Sequence, residues 1–436
     1  MRQPTSDLEH MATHGGSGGN GGYNGGSSAG GLEVLSLPDL VSEARAVGLE
    51  RIHILAWRDL DDPEAGGSEL HAHRIASIWA AAGLDVTMRT SAAAGHSHFV
   101  ERAGYKVLRK SGRYAVFPRT ALSEIGLGRF GTLGRLGHPK EPGHGSKDGL
   151  VEIWNGMPFF SPVWATGPRI VFLHHVHAEM WQLSLTPRLA KLGRFVEERV
   201  APPLYRHTKI VTLSASSREE IVSMLGIPAG NVSVVAPGVE PQFSPGATKS
   251  EHPLVVAVGR LVPVKRFCAL IDALAKVRVD HPDMRAVIVG EGYERSRLEQ
   301  RRRELDAESW LDLPGKLSDA ELVDMYRRAW VLVSASLREG WGMTVTEAAS
   351  CGTPAVVTRI AGHEDAVVDG KTGILVPDPA AIAGATSELL LDPMALDQLA
   401  RGAREHAAKF NWRNTATGTL AQLVSEARRH RERHQT

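Results

Sequence analysis

Short apolar runs alternate with amphipathic stretches along this chain, and they do so in two successive series. RIHILA (residues 51–56) reads as a buried strand, followed by a Gly-rich turn and an amphipathic helix over 68–82. DVTMRT, YAVFP, LVEIW, RIVFLH and KIVTLS are further strand candidates, with helical periodicity between several of them, as at 187–200 and 217–225. Such alternation demands parallel strands joined by crossovers, hence an α/β fold. After one last strand near Asn231 the periodicity gives way to a Pro/Gly/Ser-rich stretch, which places a linker at 243–253. The second series then begins. LVVAV (254–258), a helix over 266–277, RAVIVG, a helix over 294–305, WLDLPG, a helix over 318–329, WVLVSAS, a helix after Gly342 and PAVVT follow in turn. Helices near 393–409 and 412–429 close the chain. The expected architecture is two doubly wound parallel-sheet domains, 33–246 and 247–410, with a helix in 411–436 crossing back to the first. In such sheets ligands bind beyond the carboxyl ends of the strands, so the cleft between the domains is the expected active site.

At 436 residues the chain is too long for one core. A net charge of +1 and only 6% aromatics give no drive toward nucleic acid. Cys268 and Cys351 lack metal or redox spacing, and a reduced, cytoplasmic compartment fits them. No apolar run approaches the roughly 20 residues that span a bilayer. Residues 1–32 are rich in Gly, Ser and Asn and lack the apolar core of a signal peptide; they read as a disordered tail.

The most informative segment is REGWGMTVTEAASCGTPA, residues 338–355. Gly340 and Gly342 let the backbone approach a ligand closely. The helix after Gly342 offers free N–H groups and the positive end of its dipole, a seat for phosphate. Glu339 and Glu347, one near each end, can accept hydrogen bonds from hydroxyls. An anion cradle between two hydroxyl acceptors suits a nucleoside diphosphate-sugar. The same residues also fit a capping box, with Thr344 as cap and Glu347 reaching back to it.

Arg260 and Lys265, in GRLVPVKR, lie on the loop beyond the strand 254–258. A guanidinium fork and an ammonium point charge together suit a diphosphate and can take the place of a divalent metal. Gly66 and Gly67 open a helix and would face Arg260 across the cleft. HHVHAEMW follows RIVFL, with His174, His175 and His177 close together. Alternation along a strand points His174 and His175 to opposite faces, so zinc is not expected. One of them is expected at the donor sugar, and one facing the sheet would be a core residue. The turn Pro314-Gly315 ends a strand and can present backbone groups to a nucleobase.

The ordered motifs VGRLVPVKR, VIVGEG, LPG, LREGWGMTVTEAASCGTPAVVT and AGHEDAVVDGKTGILV resemble glycosyltransferase family 4, over nearly all of residues 51–429. AGGSE, NGMPFFSP and HHVH resemble its actinobacterial members, among them phosphatidylinositol mannosyltransferases. The resemblance implies the GT-B fold, two Rossmann-like domains around a cleft, and metal-independent transfer with retention of anomeric configuration. It implies that Glu347 holds the ribose hydroxyls, that Glu339 lies near the sugar hydroxyls and that Arg260 and Lys265 hold the diphosphate. Met343 and Thr344 would serve the distal phosphate, with Gly340, Trp341 and Gly342 beside it. Gly66 and Gly67 would close over the donor, with His174 or His175 near the anomeric centre. The chain departs from the usual pattern at Arg266 (commonly glycine), Trp341 (commonly phenylalanine) and PGVE, 237–240 (commonly NGVD).

The function expected is a retaining hexosyltransferase using GDP-mannose or a UDP-sugar, without a cofactor, on a lipid, polysaccharide or small-molecule acceptor. A nucleotide-sugar epimerase or hydrolase is the alternative on the same architecture. An oxidoreductase is disfavoured because neither first loop reads G-x-G-x-x-G. Arg102, Lys106, Arg109, Lys110, Arg113 and Arg119 fall in one stretch, and Arg188, Lys191 and Arg194 recur on a helix with Leu189, Leu192 and Phe195. With the apolar residues of NGMPFFSP they lead to the expectation of a peripheral enzyme at the inner face of an anionic membrane, acting on a lipid-linked acceptor.

Overall fold

The computed structural model describes residues 35–124 and 148–435; the Gly/Ser-rich tail of the sequence analysis lies outside them. The first sheet holds β1 (Arg51–Leu55), β2 (Asp85–Thr90), β3 (Phe99–Arg102), β4 (Tyr105–Arg109), β5 (Asp148–Trp154), β6 (Arg169–Leu173), β7 (Lys209–Thr212) and β8 (Val232–Val234). Its order is β3-β4-β2-β1-β5-β6-β7-β8, parallel except for the β3–β4 hairpin. The second sheet holds β9 (Leu254–Val258), β10 (Arg285–Val289), β11 (Leu311–Gly315), β12 (Val331–Ser334), β13 (Ala355–Thr358) and β14 (Gly373–Val376). Its order is β11-β10-β9-β12-β13-β14, all parallel. Every residue of β5 is buried, as a parallel strand covered on both faces requires.

Both sheets reverse their winding once. In the first the reversal falls between β1 and β5, in the second between β9 and β12. Crevices at such switch points are where doubly wound sheets bind ligands. The loops beyond β1 and β5 and those beyond β9 and β12 therefore define the cleft.

The chain leaves the first sheet at Val234 and enters the second at Leu254. The final helix, Trp412–Gln435, packs against the helices Leu37–Ala46 and Gly67–Ala81 and against β6 of the first sheet. Trp79 Nε1 donates to the Ala416 carbonyl at 3.0 Å. The two crossings touch: Val239 bridges to Asn411, and a Cβ on Gly238 would lie 2.2 Å from the Trp412 amide nitrogen. Only glycine fits there, which gives PGVE a packing reason. Arg266, at a position where the family often has glycine, adopts φ +51° before the helix Phe267–Asp280, a conformation glycine takes without strain.

Three expectations change. YAVFP is no strand: Val116–Glu124 is a helix, its Val116 amide bonded to the Gly112 carbonyl, and Pro118 falls in the first turn where its missing N–H costs nothing. The helix expected over 187–200 is α-helical only over Pro187–Phe195 and continues as a π-turn, Val196–Val200. The β3–β4 hairpin, β14 and the helix Ala381–Leu391 were not anticipated; the hairpin carries too many charges to read as a strand pair.

Candidate active site in the cleft

The loops beyond β9 and β12 meet through one ion pair. Lys265 Nζ lies 2.5 Å from Glu339 Oε1, which also accepts from Ser336 Oγ at 2.8 Å. Burial opposes charge on Glu339, but Lys265, His363 and the Ser336 hydroxyl outweigh it and hold the carboxyl down at about 2. The Lys265 stem runs across Gly259, where a Cβ would lie 3.3 Å from its Cε.

Gly342, at φ +95°, caps the helix Met343–Ser350 with no side-chain bond, and the Val345 amide turns back onto the Gly342 carbonyl at 2.9 Å. Met343 and Thr344 thus form the first turn, whose amides face outward along the axis. Thr344 lies inside the helix, so the capping-box reading does not hold. Glu347 Oε2 instead accepts from Tyr326 Oη at 3.0 Å. Burial, with Glu240 and Asp319 nearby, pushes the Glu347 carboxyl up to about 7 against the pull of Tyr326. Trp341 differs from expectation: its indole is buried edge-on to Phe410, with ring centroids 4.9 Å apart, so the side chain faces the core rather than a ligand. Pro314 and Gly315 end the edge strand β11. The Gly315 carbonyl accepts from the Gly290 amide at 2.9 Å, and φ is +85°.

The first domain reaches this site through the loop after β1. Arg260 Nη1 donates to the Glu64 carbonyl at 3.3 Å. A Cβ on Gly66 would lie 3.3 Å from Arg260 Nε, and one on Gly67 3.1 Å from Met343 Sδ. The Gly-Gly pair therefore sits directly over the Arg260 side chain and the helix start.

Of the histidines after β6, His175 faces the cleft and His174 does not. The His174 ring is buried between His71 and Phe172, with centroids 5.0 Å from each. The Gly340 backbone packs on the His174 carbonyl, where a Cβ would lie 2.6 Å from the oxygen. His175, Glu220, Leu337, Arg338, Glu339, Ile360 and Ala361 line a cleft of about 140 Å³. Burial holds the His175 imidazole down at about 4; Glu339 opposes this, and Arg338, Arg260 and Lys265 reinforce it. The ring is neutral at pH 7, with one nitrogen to donate and one to accept. Among the described residues no cluster of His, Cys, Asp or Glu is arranged to hold a metal ion.

Residues the sequence did not flag close the domains together. Asp365 accepts from the Ala215 amide at 2.8 Å, the Ser216 amide at 3.2 Å and Ser216 Oγ at 2.5 Å, at the start of the helix Ala215–Leu225. Arg338 pairs with Glu220 at 3.0 Å and Glu179 at 3.6 Å. Partners separated by well over a hundred residues leave no local signal.

Four of the six basic residues in the first domain's stretch are paired with acids. Arg102 and Arg109 pair with Asp59 and Asp61, Arg113 with Glu64, and Lys106 with Asp85 at 3.6 Å. Asp59 is buried, yet His73, Arg109 and Arg102 hold its carboxyl well below the ordinary range. Asp59, Asp61 and Glu64 come from the loop after β1, far off in sequence, and Asp85 from the start of β2. No helix among the described residues is long and apolar enough to cross a membrane.

Known proteins share this fold. The chain resembles sucrose-phosphate synthase from Thermosynechococcus elongatus at a TM-score of 0.69 and 19% identity, covering 85% of this chain and 97% of that one. It resembles Anabaena HepE, solved in complex with UDP and glucose, at a TM-score of 0.65 and 17% identity, covering 86% and 99%. Two Rossmann-like sheets around a cleft, with these neighbours, define the GT-B glycosyltransferase fold. Residues 65–243 match the description "Glycosyltransferase Family 4" and residues 239–406 "Glycosyl transferases group 1". The chain belongs to glycosyltransferase family 4. It is 35% identical over 233 residues to a D-inositol 3-phosphate glycosyltransferase of Acidothermus cellulolyticus, covering 49% of this chain and 52% of that protein. It is 32% identical over 226 residues to a glycogen synthase of Mycobacterium tuberculosis, covering 50% and 54%. The chain thus spans about half the length of these curated relatives.

Proposed function

We propose that this protein transfers a hexosyl group from a nucleoside diphosphate-sugar to a hydroxyl acceptor, with retention and without a metal. The observation that carries this reading is the convergence of Arg260, the Lys265–Glu339 pair and the start of the helix Met343–Ser350 beneath Gly66 and Gly67, opposite His175. Glu347 accepts from the ribose hydroxyls and Glu339 from the sugar hydroxyls. As the bond from the anomeric carbon to the phosphate oxygen breaks, its electron pair passes to the diphosphate. Arg260, Lys265 and the amides of Met343 and Thr344 take up that charge in a site already organised for it. The acceptor oxygen bonds to the anomeric carbon and its proton goes to the departing phosphate. Retention rests on the family resemblance. The HepE neighbour was solved with UDP, and the relatives are named for inositol phosphate and glycogen, which supports a UDP-sugar donor and a polyhydroxyl acceptor; GDP-mannose rests on the family resemblance alone.

One observation favours a lipid-linked acceptor. On the helix Pro187–Phe195, Leu189, Leu192 and Phe195 are each more than half exposed and alternate with Arg188, Lys191 and Arg194. That pattern suits an anionic membrane surface. Incubation with a panel of nucleotide-sugars and an acceptor extract tests the main reading: a glycosylated product supports it, and an epimer or free sugar alone overturns it. Flotation with anionic vesicles tests the second: salt-reversible binding supports it, and no binding at low salt overturns it.

A further inference from the structure

The helix that starts at Pro187 changes pitch at Val196. Val196–Val200 is a single π-turn, after which Ala201–Tyr205 is α-helical again. Such turns cost regular hydrogen bonding and occur often at functional sites. This one presents Glu197, which is wholly buried. Its carboxylate accepts from the His177 amide at 2.8 Å, the Ala178 amide at 3.1 Å and Trp181 Nε1 at 2.8 Å.

All three donors follow β6, within six residues of His175. Ala178 adopts φ +44°, a conformation that a residue with a Cβ rarely takes and that persists only when its surroundings fix it. The His175 and His177 rings stack with centroids 4.9 Å apart at 17°. Trp181 lies flat over Gly193, where a Cβ would come 2.5 Å from the indole. The turn that follows His175 and the ring stacked on it thus bear on Glu197. Among the described residues no Lys or Arg pairs with this carboxyl, and His177 Nδ1 lies 4.0 Å from Oε1; a core turn can be held at far lower cost than with a buried carboxyl group.

We propose that Glu197 is a positioning residue: it fixes the strained His177–Ala178 turn and, through the stacked His177 ring, sets the His175 imidazole at the reacting sugar. This rests on the reading of His175 as part of a transferase site. Both Glu197 oxygens only accept, so Glu197→Gln replaces an acceptor with a donor facing donors.

The test is a cycle of wild type, Glu197→Gln, His175→Ala and the double variant, with Glu198→Gln as a neighbouring control expected to match wild type. Glu197→Gln should lower kcat roughly tenfold to a hundredfold, the scale of a misplaced group, with donor KM within twofold of wild type. In the His175→Ala background it should change kcat less than about twofold, because residues acting as a unit are not additive. Equal losses in both backgrounds, or no loss in either, overturn the proposal. If Glu197→Gln does not fold, Trp181→Phe removes one of the three bonds and should follow the same pattern at smaller size; additive losses again overturn it. A wild type that turns over no nucleotide-sugar defeats the transferase reading instead. The inference is then judged by ¹⁵N-histidine spectra: the His175 ring signal, identified by its absence in His175→Ala, should shift in Glu197→Gln, and an unmoved signal overturns the proposal.

Discussion

The two domains meet the cleft at equivalent places in their sheets, yet they furnish it differently. In the second, each loop at the switch point carries its own chemistry: Arg260 and Lys265 come from one, and Glu339, Gly342 and Glu347 from a single segment. In the first, the cleft-facing groups are carried by distant supports. His175 depends on a turn bonded to Glu197, and Gly66 and Gly67 matter through what lies opposite them. A site built by local backbone geometry is written contiguously in sequence. One built by long-range packing is not.

If the second domain holds the leaving group, the largest loss comes from its cation. Arg260→Ala should lower kcat by roughly 10²–10³, the scale of losing one preorganised electrostatic donor. Steady-state kinetics check this, and activity that EDTA abolishes and Mn²⁺ restores would falsify the metal-independent role. The first domain's share should be smaller and indirect. Gly66→Val places a Cβ 3.3 Å from Arg260 Nε, and the resulting displacement should cost roughly tenfold in kcat/KM with Tm near that of wild type. A wild-type value would mean that the Gly-Gly loop only bystands.

The smallest effect separates the two glutamates of the second domain by pH. Glu347 is held at about 7 against an ordinary 4.5, so the fold favours its protonated form. That contribution to stability is full below pH 4.5 and is lost as pH rises through about 7. Glu339 is held at about 2, so its contribution is full above pH 4.5 and is lost as pH falls toward 2. Thermal melts from pH 4 to 8 should show a decline that Glu347→Gln flattens; parallel curves for the two proteins would refute the assignment.

The same division decided what could be read from sequence. The two-sheet architecture, the cleft, and the meeting of Gly66 and Gly67 with Arg260 follow from strand–helix alternation and the rule of switch points. The His174–His175 choice turned on which face of β6 packs against His71, a contact a hundred residues away. The family resemblance placed Trp341 beside the donor, but its side chain is buried against Phe410. The charge of Arg102, Arg109 and Arg113 is met by Asp59, Asp61 and Glu64, which arrive from another strand's loop. Each of these turned on a partner brought in by the fold, against which periodicity and spacing are blind.

Calorimetric titration of a nucleoside diphosphate into wild type and Glu347→Gln tests the central claim most directly: that the segment from Glu339 to Glu347 grips the donor nucleotide. At pH 8.5, above the value of about 7 at which the Glu347 carboxyl is held, the account predicts saturable binding by wild type and a loss of roughly 1.5–3 kcal/mol in Glu347→Gln, the worth of hydrogen bonds to a charged group. Equal affinity in the two proteins, with Glu347→Gln melting well below wild type, would contradict it and make Glu347 a structural residue.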